Sequence, residues 1–497
     1  MKEFLLHAIT IYESWVIYYL GAISIIYFTL LLTGLVELLR RNFTRVDPEV
    51  AHTIESSPLI PPISILAPAF NESATICQSV RSMLALNYPE MEVVVINDGS
   101  KDETLQVLID EFHLYKSATY YEPRVPTANI RGIYQSMDLS SLVVIDKDNG
   151  GKADSLNAGL NVARYPLVCS VDADSILEQN SLLHAVRPFV YDPDRCLASG
   201  GIIRVVNGCT VDSGRVLDIR SPKSWIARFQ VIEYLRAFLG GRVGFSAFNS
   251  LLVISGAFGI FSKAALHAIG GYRTDTVGED MEIVVRLHRW AREQKRQYKI
   301  AFEPDPVCWT EVPESLRVLR RQRNRWQRGT LETMWNHRGM ILNPRYGTVG
   351  MVAFPYFVVF EVFGPLVELT GYILTIFGYL WGLFDHRIAL LFFLASISYG
   401  VLLSLGSVVL EEMTLSRYPR IADMFILLGS SVLESLGFRQ LLTVWRAEAF
   451  ISLFRGHKNW GAMERKGFAA ITRKHKSESA APESQAELQP ATSTREG

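Results

Sequence analysis

The spacing of apolar and polar positions divides the chain into long apolar runs at its two ends and an alternating stretch between them. Residues 15–36 carry no charge over roughly 22 positions, enough to cross a hydrocarbon core of about 30 Å. The run is longer than a signal-peptide core, no small-residue cleavage pattern follows it, and Arg40-Arg41 closes it. These features predict a transmembrane helix over 14–38 that acts as an uncleaved anchor, with the next domain on the cytosolic side of the basic pair. A second apolar block begins near Val349. Residues 354–383 and 388–409 each read as a crossing, parted by Asp385-His386-Arg387. Glu361 and Glu368 interrupt the first of them, and either would cost about 2.5–3.5 kcal/mol if it faced lipid. Their spacing puts both on one helical face, so they are expected to point into a helix bundle or to lie near an interface.

Residues 421–454 are harder to place, because Glu434, Arg439, Arg446 and Glu448 break the apolar pattern. One crossing followed by an interfacial helix fits, and so does a tight hairpin. The whole of 349–455 is therefore expected to be transmembrane or interfacial helix. The tail, 456–497, opens with Lys458, Arg465, Lys466, Arg473, Lys474 and Lys476, which favours a cytosolic end. Beyond Ser477 its Ser/Ala/Glu/Gln/Thr composition is that of a disordered segment.

Between 59 and 310 the period changes. Short β-branched runs (Ile63-Ser64-Ile65-Leu66, Val93-Val94-Val95-Ile96, 142–145 and 167–171) alternate with helical patterns at 73–84 and 153–163. This is the signature of βαβ units and a largely parallel sheet. The stretch 116–141, with Pro123 and Pro126, reads as an enlarged loop before the third strand. Ligands of such sheets bind beyond the carboxyl ends of the strands. Asp98 follows one strand run, and Asp172 and Asp174 follow another.

Composition agrees with a membrane protein: the mean hydropathy is +0.15. Lys+Arg and Asp+Glu are both 50, so the overall charge gives no sign of a nucleic-acid partner. The five cysteines, Cys77, Cys169, Cys196, Cys209 and Cys308, are scattered with no CxxC pair. That speaks against a zinc site or a disulfide framework and suits a reducing compartment.

Several residues carry candidate chemistry, each with a plainer reading beside it. Asp172-Ala173-Asp174 is a DxD after an apolar strand. Two carboxylates there can hold Mg²⁺ or Mn²⁺ while leaving positions open for diphosphate oxygens, or they can be solvated strand-end acids. Asp98, in Asn97-Asp98-Gly99-Ser100, is explained equally by a turn and by contact with a nucleoside. Lys152 opens a helix after two glycines, where it can meet phosphate or simply be solvated. Asp280, in Gly278-Glu279-Asp280, precedes a helical pattern, and the helix dipole alone would favour acids there. The chemical reading makes Asp280 a general base for an acceptor hydroxyl. Gln322, Arg325 and Trp326 form QxxRW in an arginine-dense amphipathic stretch within 313–345, expected at the membrane surface. Arginine there can pair with diphosphate and tryptophan can stack on a sugar.

Taken in order, these motifs resemble the processive branch of family-2 glycosyltransferases, which includes cellulose, chitin, hyaluronan and poly-N-acetylglucosamine synthases. The resemblance rests on Pro68-Ala69-Phe70-Asn71-Glu72, Asn97-Asp98-Gly99-Ser100, Gly151-Lys152-Ala153-Asp154-Ser155-Leu156-Asn157, Asp172-Ala173-Asp174, Ser255-Gly256-Ala257-Phe258-Gly259, Gly278-Glu279-Asp280 and Gln322-Arg323-Asn324-Arg325-Trp326. It covers roughly residues 60–330. It implies an α/β fold of the GT-A type over 59–310, joined to a helical transmembrane region, and a nucleotide-diphosphate donor, usually a UDP-sugar such as UDP-N-acetylglucosamine or UDP-glucose. Glu72 and Asp98 would contact the nucleoside and Lys152 the donor, while Asp172 and Asp174 would serve the sugar diphosphate and its Mg²⁺ or Mn²⁺. Asp280 would be the base of an inverting transfer. Glu279, Gln322, Arg325 and Trp326 would secure diphosphate and acceptor, and Phe258 would line the acceptor mouth.

The first membrane block is a single crossing, whereas several relatives carry two. The expected protein is a multi-pass component of the cell (inner or plasma) membrane that builds a β-linked polysaccharide, with export or accessory proteins as partners. Glu361 and Glu368 would then be structural carboxyls or line a sugar-conducting path. Two other readings remain open: addition of one sugar to a lipid carrier or glycolipid, and an inactive scaffold of an export assembly.

Overall fold

The computed structural model describes residues 2–43, 60–212, 214–382, 386–415 and 417–454. The expected basic and disordered tail, 456–497, lies outside the described residues. Helix α1 (Lys2–Phe43) covers residues 14–38 of the expected crossing. The chain then alternates β1 (Ile63–Ala69), α2 (Ile76–Leu84), β2 (Met91–Asp98) and α3 (Thr104–Phe112). Next come β3 (Leu114–Ser117), β4 (Ile130–Ser136), β5 (Leu142–Lys147), α4 (Lys152–Val162) and β6 (Leu167–Val171). The domain continues through β7 (Ile176–Leu177), α5 (Ser181–Tyr191), β8 (Cys196–Val205) and the hairpin β9–β10 (Thr210–Asp212, Arg215–Asp218).

A helical segment follows, made of α6 (Trp225–Leu235), a π-helical stretch (Arg236–Arg242) and α7 (Val243–Ala247). Beyond it lie β11 (Phe258–Ser262), α8 (Lys263–Ala268), α9 (Glu279–Glu293), β12 (Lys299–Thr310) and α10 (Leu316–Asn336).

Ten strands form one mixed sheet in the order β3-β4-β5-β2-β1-β6-β11-β8-β12-β7. The apolar runs become its centre. β5, β1, β2 and β6 are buried almost throughout, as parallel strands covered on both faces require. β1 pairs in parallel register with β2 on one side and, on the other, with β6, which the chain reaches after β5 and α4. The carboxyl edge at β1 and β6 is therefore a topological switch point, and Asp172 follows β6 directly.

The stretch read as a loop is more ordered than expected. Within 116–141, Ile130–Ser136 forms β4, which pairs antiparallel with β5 and with β3. Two prolines at 123 and 126 hide the strand from local pattern, and pairing with the rigid edge of β5 supplies its order.

Among the described residues, three helical stretches are long and apolar enough to cross a membrane: Ser14–Arg40, Val349–Leu380 and Ile421–Leu453. The second is irregular, with π-helical turns at Val349–Ala353 and Phe357–Val362 before α11 (Gly364–Leu380). Helix α12 (His386–Thr414) lies over the expected crossing at 388–409 and packs beside α1, where Gly406 faces Leu31. The ambiguous stretch is two helices, α13 (Ile421–Leu433) and α14 (Arg439–Phe454), broken at Leu436 and Gly437. Gly437 takes φ of 104°, which a residue with a side chain rarely adopts.

The charges that clouded the hydropathy pattern meet partners from distant parts of the chain. Glu361 is held by Arg446 at 2.9 Å, Glu368 accepts from Thr443 at 2.8 Å, and Glu434 pairs with Arg236 at 3.0 Å. The two acids at 361 and 368 thus face other helices.

Candidate active site

The switch-point edge opens into a cavity of about 760 Å³. Its walls bring together Lys152, Asp172, Asp174, Glu279, Asp280, Gln322, Arg325 and Trp326, which come from four separate segments of sequence. Asp172 and Asp174 stand on the turn after β6, where the Ser175 backbone N–H donates to the Asp172 carbonyl at 2.9 Å. Lys152 is the first residue of α4. Its ammonium donates to Asp172 and, at 3.2 Å, to the Gly256 carbonyl, and lies 3.8 Å from Glu279.

Asp280 sits in the first turn of α9, as the dipole favours. Its carboxylate accepts from the Gly256 N–H at 3.3 Å and the Met281 N–H at 2.9 Å. Gly256 therefore ties the acid of α9 and the lysine of α4 to the segment leading into β11. A Cβ at Gly256 would come within 3.0 Å of the Lys152 ammonium.

Helix α10 is brought to the same place by a glycine contact. Gly278 and Gly329 touch backbone to backbone, and a Cβ on either would meet the other's Cα at 2.8 Å. Glu332 reinforces the approach by accepting from Thr276 Oγ1 and the Val277 N–H, both at 3.0 Å. Three arginines of α10 are engaged by acids of the protein. Arg323 pairs with Glu233 at 2.6 Å and stacks over Trp326 at 4.3 Å, Arg328 pairs with Glu332, and Arg320 with Glu448. Three of the charges that suggested a bilayer surface thus have protein partners. Gln322 accepts from Arg323 at 2.7 Å. Trp326, 42% exposed, presents its ring to the cavity beside Tyr234.

The electrostatics follow from this crowding. Burial pulls the Lys152 ammonium down, but Asp172, Glu279 and Asp280 outweigh it and hold the group above the ordinary lysine value. Burial pushes Glu279 up, against the pull of Lys152 and with the push of Asp280.

Three expected site residues lie elsewhere. Asp98 is buried and engaged by its own neighbours: Lys147 donates at 2.6 Å, and the Gly150 and Gly151 N–H groups at 2.9 and 2.8 Å. The turn reading is realised, with Gly99 at φ of 64°, and the carboxylate anchors the loop that launches Lys152. Glu72 follows β1 on the same sheet edge, outside the cavity, and accepts from Thr75 at 3.0 Å. Phe258 is fully buried in β11 against Gly201, so Ser255, Gly256 and Ala257 line the cavity instead.

Sequence reasoning missed Glu233, Tyr234, Phe238 and Arg242, which wall the cavity from the helical segment after the hairpin. The signal was present as arginines in an otherwise apolar helical run. Sequence reasoning also missed Gly329 and Glu332, whose roles depend on a distant loop.

Among the described residues, no group of three or more His, Cys, Asp or Glu is arranged to hold a metal alone. Asp172, engaged on one oxygen by Lys152, and Asp174 are hard oxygen donors that line the cavity. They fit an ion whose other positions are filled by diphosphate oxygens and water. All five cysteines are free, and burial raises the thiols, Cys209 to about 11, so none has the character of a nucleophile.

A mixed sheet with DxD beyond a strand at the switch point, facing acids at a helix start, defines a GT-A-type α/β domain. The chain belongs to the family described as Glycosyltransferase like family 2, which residues 61–329, more than half of its length, match. It is 29% identical over 301 residues to the poly-beta-1,6-N-acetyl-D-glucosamine synthase of Staphylococcus aureus strain COL, a match covering 60% of this chain and 60% of that protein. It is 30% identical over 272 residues to the enzyme of the same name from Staphylococcus epidermidis, covering 55% of each. Among solved structures, a mannosyltransferase from Pyrobaculum calidifontis in complex with GDP-Man and Mn²⁺ superposes with a TM-score of 0.46 at 17% identity, covering 84% of this chain and 99% of that one. That overlap is too low for its ligands to be carried across.

Proposed function

We propose that this protein is a membrane-embedded, inverting glycosyltransferase that polymerises sugar from a nucleotide-diphosphate donor into a β-linked polysaccharide. The observation that carries the reading is the convergence of Asp172, Asp174, Asp280, Arg325 and Trp326 on one cavity. Asp280 takes the proton from the acceptor hydroxyl as that oxygen attacks the anomeric carbon and the nucleoside diphosphate departs on the opposite side. One in-line displacement inverts the centre, so an α-linked donor gives a β-linkage. Lys152 and Arg325 draw the diphosphate to this end of the cavity. Asp172 and Asp174 would hold Mg²⁺ or Mn²⁺, which supplies positive charge to the leaving diphosphate. Trp326 offers a face for the acceptor sugar.

UDP-N-acetylglucosamine is the favoured donor, because both staphylococcal relatives are named as poly-N-acetylglucosamine synthases. Coupling to export is supported by Phe357, which lines the cavity and belongs to the apolar span Val349–Leu380. The acceptor end of the cavity thus borders helices suited to the bilayer, and a cytosolic catalytic domain follows from Arg40-Arg41 behind α1.

The test is product size. Protein in nanodiscs is incubated with a panel of UDP-sugars and Mg²⁺ or Mn²⁺, and products are resolved on a gel. High-molecular-weight polymer from one donor is expected. Single-sugar adducts on lipid would replace the polymerase with the one-addition reading. No turnover of any donor, with lipid acceptors supplied, would sink the transferase reading.

A further inference from the structure

Arg242 closes the π-helical stretch between α6 and α7 and lines the catalytic cavity. Its guanidinium stacks on the Phe238 ring at 3.8 Å, and among the described residues its buried Nη1 has no hydrogen-bond partner. Lys152, a neighbouring cation of the same cavity, is engaged by Asp172. An unmade bond at a buried guanidinium is costly, and proteins keep one where something else completes it. Arg242 also lies within the electrostatic reach of Asp280. Burial lowers its pKa to about 10, against the charge of Asp280, and at neutral pH the group remains a cation.

Its position is fixed from behind. Gly244, in the next turn, meets the Leu30 carbonyl of α1 so closely that a Cβ would stand 2.9 Å from it. The π turn shifts the helical register at the point where the arginine leaves the helix, a feature frequent at functional sites. Tyr234 and Trp326, with ring centroids 6.4 Å apart, form an aromatic wall on the same cavity.

We propose that Arg242 binds the acceptor: its free donor takes an oxygen of the terminal acceptor sugar and sets that sugar's hydroxyl against Asp280. A guanidinium has donors only, so its ligand is a lone-pair oxygen, a hydroxyl or an acetamido carbonyl. Lys152 and the Asp172/Asp174 turn mark the diphosphate end, which leaves Arg242 to the acceptor rather than to the donor. The assignment rests on the glycosyl-transfer reading and adds the residue that orients the nucleophile.

The experiment uses full-length protein in nanodiscs with saturating donor and a titrated β-linked N-acetylglucosamine oligosaccharide. Arg242→Ala and Arg242→Lys are expected to raise the acceptor KM roughly 10- to 100-fold, the worth of a hydrogen bond to a charged group. The donor KM stays at the wild-type level. Methylguanidinium restores part of the lost transfer to Arg242→Ala and none to Asp280→Asn. An acceptor KM within twofold of wild type in both variants, or a matching rise in donor KM, overturns the role of Arg242 while leaving the transferase reading intact. Should the alanine variant fail to fold, the lysine variant, which keeps the charge, decides the outcome. A wild-type protein inactive on every donor overturns both.

Discussion

Lys152 is the residue on which the charge arrangement of the cavity turns, because it faces Asp172, Glu279 and Asp280 together. Its removal has a defined consequence. Burial and the Asp280 charge push Glu279 up, and Lys152 opposes them. Lys152→Met removes the opposing pull, so Glu279 keeps its proton to a higher pH. The expected result is weaker donor binding and an acid limb of the pH–rate profile moved to higher pH. A limb that stays in place would show that the protonation of Glu279 has no part in turnover. The same residue shows what a motif can tell. Gly151-Lys152-Ala153-Asp154 was legible as a helix start. Its bond to the Gly256 carbonyl was not, because that partner is 104 positions away.

At the scale of elements, the approach of α9 to α10 matters most. Gly329 lies within α10, where glycine is a poor helix former and alanine would ordinarily stabilise by about 0.5–1 kcal/mol. Here the added Cβ would strike the Gly278 backbone at 2.8 Å. Gly329→Ala is therefore expected to bring no gain in melting temperature and to lower transfer on the order of 10²-fold, as Asp280 and Trp326 are pushed apart. Circular dichroism melts and initial rates together check this; a more stable variant with full activity would refute it. The central strands were readable because β-branched runs buried on both faces leave a strong local signal. β4 was not, because its order comes from pairing with β5 rather than from its own residues. The helix carrying Tyr234 and Arg242 was overlooked for a related reason: only contact with the cavity distinguishes it from an ordinary buried helix.

For the whole molecule, ion pairs join the catalytic sheet to the apolar helices. Arg204 of β8 meets Glu411 of α12 at 2.8 Å, with both side chains 3% exposed. Removing one partner of such a pair strands the other, so Arg204→Ala is expected to cost about 3–5 kcal/mol. Arg204→Met combined with Glu411→Leu should recover most of that loss, since an apolar pair leaves no buried charge. Thermal unfolding in detergent reads both; a single substitution no worse than the double would deny the pair its role. The same pairing explains why hydropathy alone left 421–454 unresolved. Glu434 and Arg446 look like interruptions until their partners, Arg236 and Glu361, 198 and 85 positions away, are seen.

Base-assisted glycosyl transfer in this cavity is tested by comparing wild type with Asp280→Asn in nanodiscs. Equilibrium binding of the donor and the initial rate of UDP release are recorded on the same preparations with Mn²⁺ present. Equal donor affinity with a rate lowered roughly 10²- to 10⁴-fold, the usual contribution of a general base, is predicted. An Asp280→Asn protein that releases UDP at the wild-type rate would rule out Asp280 as the base.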